Sequence, residues 1–168
     1  MKIRLKKEAS THIPMLIKAI QLTKGPVLEL GAGIFSTPLL HWLCAEDKRP
    51  LLTYERDPEY YGFARKFLSK KHRVVLIDKW DKIDTKTHWS VVLVDQDTER
   101  GKTAILLKDS ADFIILHDSE YPELYGYDEV YAHFKYIYHW TFCKPYTTVV
   151  SNFKSMENIK EPDWNKWI

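Results

Sequence analysis

Two four-residue runs, Val91-Val92-Leu93-Val94 and Phe113-Ile114-Ile115-Leu116, are apolar at every position. A strand with one wet face alternates apolar and polar residues, so runs without alternation belong to strands covered on both faces. Residues 98–108, between them, read as a helix. Strands separated by a helix pair in parallel through a right-handed crossover. That combination already demands helices packed on both sides of a parallel sheet.

The same alternation runs through the earlier chain. Ser10 or Thr11 is placed to cap a first helix ending near Leu22, with Met15, Leu16, Ala19 and Ile20 on its apolar face. Val27–Leu30 reads as a strand between Gly25-Pro26 and Gly31. Ser36 or Thr37 caps the next helix, with Pro38 in its first turn. Leu51–Glu55 is a second strand, and Asp57-Pro58 starts a helix over 59–69. Further strands are expected over 73–77 and 90–94. After the strand at 113–116, residues 122–134 suggest a helix, and 135–142 with Thr147–Ser151 an antiparallel strand pair. The expectation is an α/β fold: a Rossmann-like, doubly wound, mostly parallel seven-stranded sheet with that pair at its C-terminal end.

Composition limits the function classes. The 168 residues suit one domain with a real core, divided here into an N-terminal helix (1–24), a central region (25–120), a C-terminal helix and hairpin (121–153) and a tail (154–168). Apart from Trp164, Trp167 and Ile168 the tail is polar and is expected to lie loosely on the surface. Twenty-five basic against 23 acidic residues leave a net charge of +2, no general grip on nucleic acid. Two cysteines, Cys44 and Cys143, without paired spacing suggest a reducing compartment. No apolar run approaches the ~20 residues of a membrane span, and the basic start lacks a signal's apolar core. Together these point to a cytoplasmic protein.

The chemistry gathers where strands end. Glu29 sits in the first strand; Glu55, Asp78, Asp95 and His117-Asp118 fall at or just after the ends of the next four. In a parallel sheet all these ends share one edge, where such folds bind ligands. Gly31 and Gly33 allow a ligand close to the backbone at the start of a helix. The third glycine of the dinucleotide fingerprint is replaced by Ser36. Glu55 lies 22 residues beyond Gly33, placed to accept from ribose hydroxyls or to pair with Arg56 or Lys48. A pyrophosphate beside Glu29, Asp95 and Asp118 would meet like charge. A cationic ligand would not.

Glu29-Leu30-Gly31-Ala32-Gly33, then Glu55, Asp78 and Asp95, resemble the successive motifs of class I S-adenosylmethionine-dependent methyltransferases over residues 25–120. A looser likeness, through residues 36–40, 117–120 and 147–152, extends to small bacterial methyltransferase-like proteins of unknown substrate. The resemblance implies that Gly31, Ala32 and Gly33 pass under the methionine part of S-adenosylmethionine, with Glu29 and Asp95 nearby. It implies that Glu55 holds the ribose, Arg56 flanks the adenine, Asp78 meets its amino group, and Lys79 or Trp80 covers the ring. Thr11-His12 would fold over the cofactor as a short lid.

For the acceptor, a small molecule or another exposed oxygen or nitrogen group, the resemblance leaves His117 or Asp95 as general base toward a hydroxyl, with Asp118 beside them. It leaves a divalent metal open: some relatives use an Asp after strand four and an Asp-Asn pair after strand five, where this chain has His117-Asp118. An imidazole there would favour a transition metal over magnesium. Arg100 either pairs with Asp97 or Glu99 or, with Asp97, grips an anionic substrate. Tyr121 and the late aromatics wall an acceptor site, fill the core or meet a second copy in a homodimer. A binding module that has lost catalysis and a nucleotide enzyme are the competing readings, since function is grafted onto such scaffolds.

Overall fold

The computed structural model describes residues 7–160. The basic residues before position 7, and the aromatic end with Trp164, Trp167 and Ile168, lie outside the described residues. Seven strands form one sheet: β1 Val27–Leu30, β2 Leu51–Glu55, β3 His72–Leu76, β4 Trp89–Val94, β5 Ala111–His117, β6 Tyr136–Trp140 and β7 Thr147–Ser151. Their order is β3-β2-β1-β4-β5-β7-β6. The first five are parallel; β7 runs antiparallel to β5 and to β6. This is the doubly wound, Rossmann-like sheet expected, with the antiparallel pair at one edge.

Side chains of successive strand residues leave opposite faces, and each face meets its own helices. On one face α1 (Ile13–Gln21) and α2 (Ser36–Glu46) bring Met15, Leu16, Ala19, Ile20, Leu40 and Cys44 onto Val27, Leu51, Val91, Leu93 and Ile115. On the other, α4 (Arg100–Leu106) and the segment after it supply Ala104 and Leu107. These meet Leu28, Leu30, Val92, Val94, Ile114 and Leu116, with Tyr127, Val130 and Phe134 alongside. Helix α3 (Pro58–Ala64) packs Ala64 on Val74. Asp57 caps it through the N–H groups of Glu59 and Tyr60 at 2.7 and 3.1 Å, as its position before Pro58 suggests.

Several elements depart from expectation. Helix α1 starts after His12 with no side-chain cap. Ser10 instead closes a 3-10 turn, Lys7–Ser10, and the Thr11 hydroxyl bonds the Pro145 carbonyl. The helix expected over 59–69 ends as α-helix at Ala64 and continues only as a 3-10 turn, Arg65–Phe67. The helix expected over 122–134 is two short pieces, α5 (Pro122–Tyr125) and α6 (Tyr127–Tyr131), broken by Gly126 at φ +69°. Between β3 and β4 there is a 3-10 turn, Trp80–Lys82, and Trp80 is buried in the core. The described part of the tail is not loose. Met156 and Ile159 are buried against α1, and Lys18 Nζ donates to the carbonyls of Ile159 and Lys160 at 3.3 and 3.1 Å. No helix among the described residues is long and apolar enough to cross a membrane.

Candidate active site

Parallel pairing brings the ends of β1, β2, β4 and β5 to one edge of the sheet. Gly31 turns the chain there at φ +88°, a conformation that disfavours any side chain. A Cβ on Gly31 would also stand 2.6 Å from the Asp95 carbonyl oxygen, so the turn lies directly against the end of β4. The next residues open a cleft of about 530 Å³. Gly31, Ala32 and Gly33 floor it, and Glu55, Asp57, Asp95 and Asp97 stand round it. Its volume is that of a small-ligand site.

Glu55 is held by the backbone. Its Oε2 accepts Ala32 N–H at 2.6 Å, and Oε1 accepts Arg56 and Asp57 N–H at 2.6 and 2.7 Å. Burial pushes its carboxyl upward, against these bonds. Glu29 lies beneath the glycine turn, fully buried. Thr53 donates to its Oε2 at 2.7 Å and Thr37 to both its oxygens at 3.0 Å, while Thr37 Oγ1 accepts Gly33 N–H at 3.0 Å. Thr37 therefore ties the turn to the buried acid rather than capping α2. Burial pushes the Glu29 carboxyl up to about 7, although the surrounding hydroxyls oppose this.

A second, drier cluster adjoins the cleft through Asp95. Arg100, 6% exposed, reaches Asp95 Oδ1 at 3.0 Å and Asp118 Oδ2 at 2.8 Å, and lies 4.1 Å from the centroid of the Tyr125 ring. It also donates to the carbonyls of Gln96 and His117. Glu99 and Asp118 both take positive φ, +57° and +56°, where this pairing is built. His117 Nδ1 lies 3.0 Å from Asp95 Oδ1 and Nε2 lies 3.0 Å from Thr11 Oγ1. Burial would raise the Asp95 carboxyl, but His117 and Arg100 hold it below the usual carboxylate range. Burial would lower His117, but the bond to Asp95 and the charges of Asp95 and Asp118 raise it. His12 packs edge-on against His117 with centroids 4.8 Å apart.

His12, Asp95 and His117 present donor atoms within 4.8 Å of one another, a spacing that a metal ion can bridge. The surroundings do not fit one. Arg100 already neutralises Asp95 and Asp118, so a magnesium ion between those carboxylates would face a fixed cation. Both His117 nitrogens are engaged as well.

The sequence-predicted residues thus separate. Gly31, Ala32, Gly33, Glu55, Asp95 and Asp97 meet at the cleft. Arg56 and Asp78 line a neighbouring hollow of about 440 Å³ with Leu76, Ile77 and Lys82. Between the two, Arg56 is ion-paired with Asp97; within the second, Asp78 is paired with Lys82 at 2.6 Å. Lys79 is exposed and lines neither hollow. Trp80, 1% exposed, offers no ring face to a ligand; its Nε1–H holds Asp97 Oδ1 at 2.9 Å. Arg100 is bound to Asp95 and Asp118 rather than to Asp97 or Glu99, and its charge is spent inside the protein. Tyr121, 56% exposed, does not line the cleft. Gln96 and Tyr60 line it unforeseen, as does Asp57, visible in the sequence only as a helix cap.

No protein-family model and no curated protein sequence matches the chain. Solved structures do. A precorrin-6y C5,15-methyltransferase from Geobacter metallireducens superposes with a TM-score of 0.61 at 13% identity, over 89% of this chain and 90% of that one. Human methyltransferase-like protein 13, in complex with SAH, gives 0.61 at 16%, over 96% and 89%. Spermidine synthase from Thermotoga maritima gives 0.65 at 17%, over 93% of this chain but 64% of that longer one. At these identities the likeness is one of fold: the mostly parallel sheet with its antiparallel pair is shared with methyltransferases.

Proposed function

We propose that the chain is an S-adenosylmethionine-dependent methyltransferase acting on a small-molecule acceptor. The observation that carries the reading is the ring of four carboxylates, Glu55, Asp57, Asp95 and Asp97, round a cleft floored by Gly31–Gly33. Asp95 and Asp97 are paired with Arg100 and Arg56, whereas Glu55 and Asp57 carry no ion pair among the described residues, so the rim suits a sulfonium and disfavours a diphosphate. The glycine turn and Glu55 would hold the cofactor, and Arg56 with Asp78 would lie toward its base in the adjoining hollow. When bound, S-adenosylmethionine supplies an electrophilic methyl group, so the protein's share is position and electrostatics. The fold shared with methyltransferases supports the same reading.

Calorimetry with S-adenosylhomocysteine tests it. Saturable binding is expected, weakened at least tenfold, about 1.4 kcal/mol, in Glu55→Ala. NAD should give no comparable heat. An absence of S-adenosylhomocysteine binding at high concentration, or preference for NAD, would overturn the proposal.

A further inference from the structure

His117 carries a partner on each ring nitrogen. Thr11 Oγ1 donates its proton to the Pro145 carbonyl at 2.7 Å, because a carbonyl oxygen only accepts. The lone pair that Thr11 turns to His117 then accepts, so Nε2, 3.0 Å away, holds a proton. On the other side Asp95 Oδ1 lies 3.0 Å from Nδ1 and 3.0 Å from Arg100 Nη2. A carboxylate so paired is ionised, and Nδ1 also holds a proton. A ring protonated on both nitrogens is an imidazolium. It has no lone pair left to take a proton, which argues against His117 as the base.

His12 is its opposite. The ring is 1% exposed, and neither of its nitrogens has a hydrogen-bond partner. Asp95 at the end of β4, His117 at the end of β5 and Arg100 on α4 face it. Burial lowers His12 to about 4; the nearby cations add to this, and Asp95 only partly opposes them. A neutral imidazole offers one N–H and one lone pair, and here both wait unused. Leaving such a group buried and unpaired is unfavourable, and a hydroxyl-bearing ligand would relieve it. His12 does not itself line the cleft, but Asp95, which faces it, and Ala9, three residues before it, do.

We infer that His12 is the proton acceptor of the reaction, and that the acceptor substrate is a neutral alcohol or phenol rather than an amine. This rests on the methyl-transfer reading. The acceptor oxygen forms a bond to the methyl carbon, and the carbon–sulfur bond breaks with its electron pair going to sulfur. The hydroxyl proton passes to the free His12 nitrogen and from there to solvent. An oxygen already bonding to carbon is a strong acid, so a weak base suffices. An aliphatic amine arrives as an ammonium, whose proton so weak a base does not remove.

The test is the histidine side-chain spectrum of the full chain, labelled with nitrogen-15 and followed from pH 5 to 9. His12→Gln assigns His12 and, because that ring makes no hydrogen bond, should leave the fold intact. His117 is assigned by its response to Asp95→Asn. At pH 7.5 His117 should show two protonated nitrogens, and His12 should keep one bare nitrogen down to pH 5. With S-adenosylhomocysteine bound, phenol should shift the bare His12 nitrogen and benzylamine should not. A bare nitrogen on His117 at pH 7.5, a protonated His12 at pH 6, or a response to benzylamine alone or to neither probe would overturn the inference. The spectra without ligand stand apart from the calorimetry, so failure of cofactor binding is distinguishable from failure of the histidine assignment.

Discussion

At the scale of single residues, Glu29 shows how a buried acid is made tolerable. Thr53 donates to it and accepts from His72 Nε2 at 3.0 Å, which leaves His72 Nδ1 to accept from His41 Nδ1 at 3.2 Å. The chain of bonds runs from the acid beneath the glycine turn to half-buried His41 on α2. Its ionisation still costs stability. Glu29 moves from its ordinary 4.5 to about 7 on folding, so the folded state binds more protons across that window. A raised value means stability fully present below 4.5 and lost as pH rises through about 7, a loss of about 3 kcal/mol. His12 and His72, each lowered to about 4, act the other way, gaining stability as pH rises. The difference between Glu29→Gln and the unaltered protein isolates the acid. Glu29→Gln should gain up to about 3 kcal/mol relative to it between pH 4.5 and 7, read from denaturant midpoints. A constant difference would refute the assignment.

At the scale of elements, Gly101 explains how α4 can carry Arg100 into the site. A Cβ there would lie 2.4 Å from the Gly126 carbonyl oxygen and 2.8 Å from that of Tyr125, both backbone atoms at the α5–α6 break. The helix approaches that turn closely only because the position is bare. Gly101→Ala, normally favourable in a helix, should instead destabilise by about 1–3 kcal/mol, with a lowered urea midpoint. Elements bounded by strong punctuation were legible from the residues alone: β1, β2 and β7 match their expected limits, the first two beside Gly25-Pro26, Gly31 and Pro50. Gly126 carried the break in the last helix, but its conformation depends on what it packs against. The partners of Arg100 were not legible. Its spacing from Asp97 and Glu99 suggests a local pair, whereas Asp118 reaches it only through the adjacency of β4 and β5. Trp80, just past a strand, reads equally as a ring for a ligand or as core, and only the helix-free crossover that it fills decides for the core.

At the scale of the whole molecule, two separate apolar layers flank one sheet, and the site draws on both. Glu29 faces the α2 side; Arg100 comes from the opposite layer on α4. The central strands β1, β4 and β5, buried almost throughout, should exchange their amide hydrogens slowest, and the edge strands β3 and β6 much faster. Exchange monitored by mass spectrometry checks this; equal protection across the sheet would contradict it. The row of carboxylates was legible because parallel pairing fixes which strand ends coincide. The histidine cluster was legible only in part, because Thr11 and Pro145 meet across the fold.

The order of the last two strands has a consequence for synthesis. Among the described residues β6 touches the sheet only through β7, which follows it in the chain and lies between it and β5. While the ribosome has released residues only as far as Tyr146, β6 has no neighbour to dock on and β5 presents an open flank. The Pro145 carbonyl that fixes Thr11 emerges within that same interval. The bond from Thr11 that fixes the proton arrangement at His117 thus waits for the segment that joins β6 to β7.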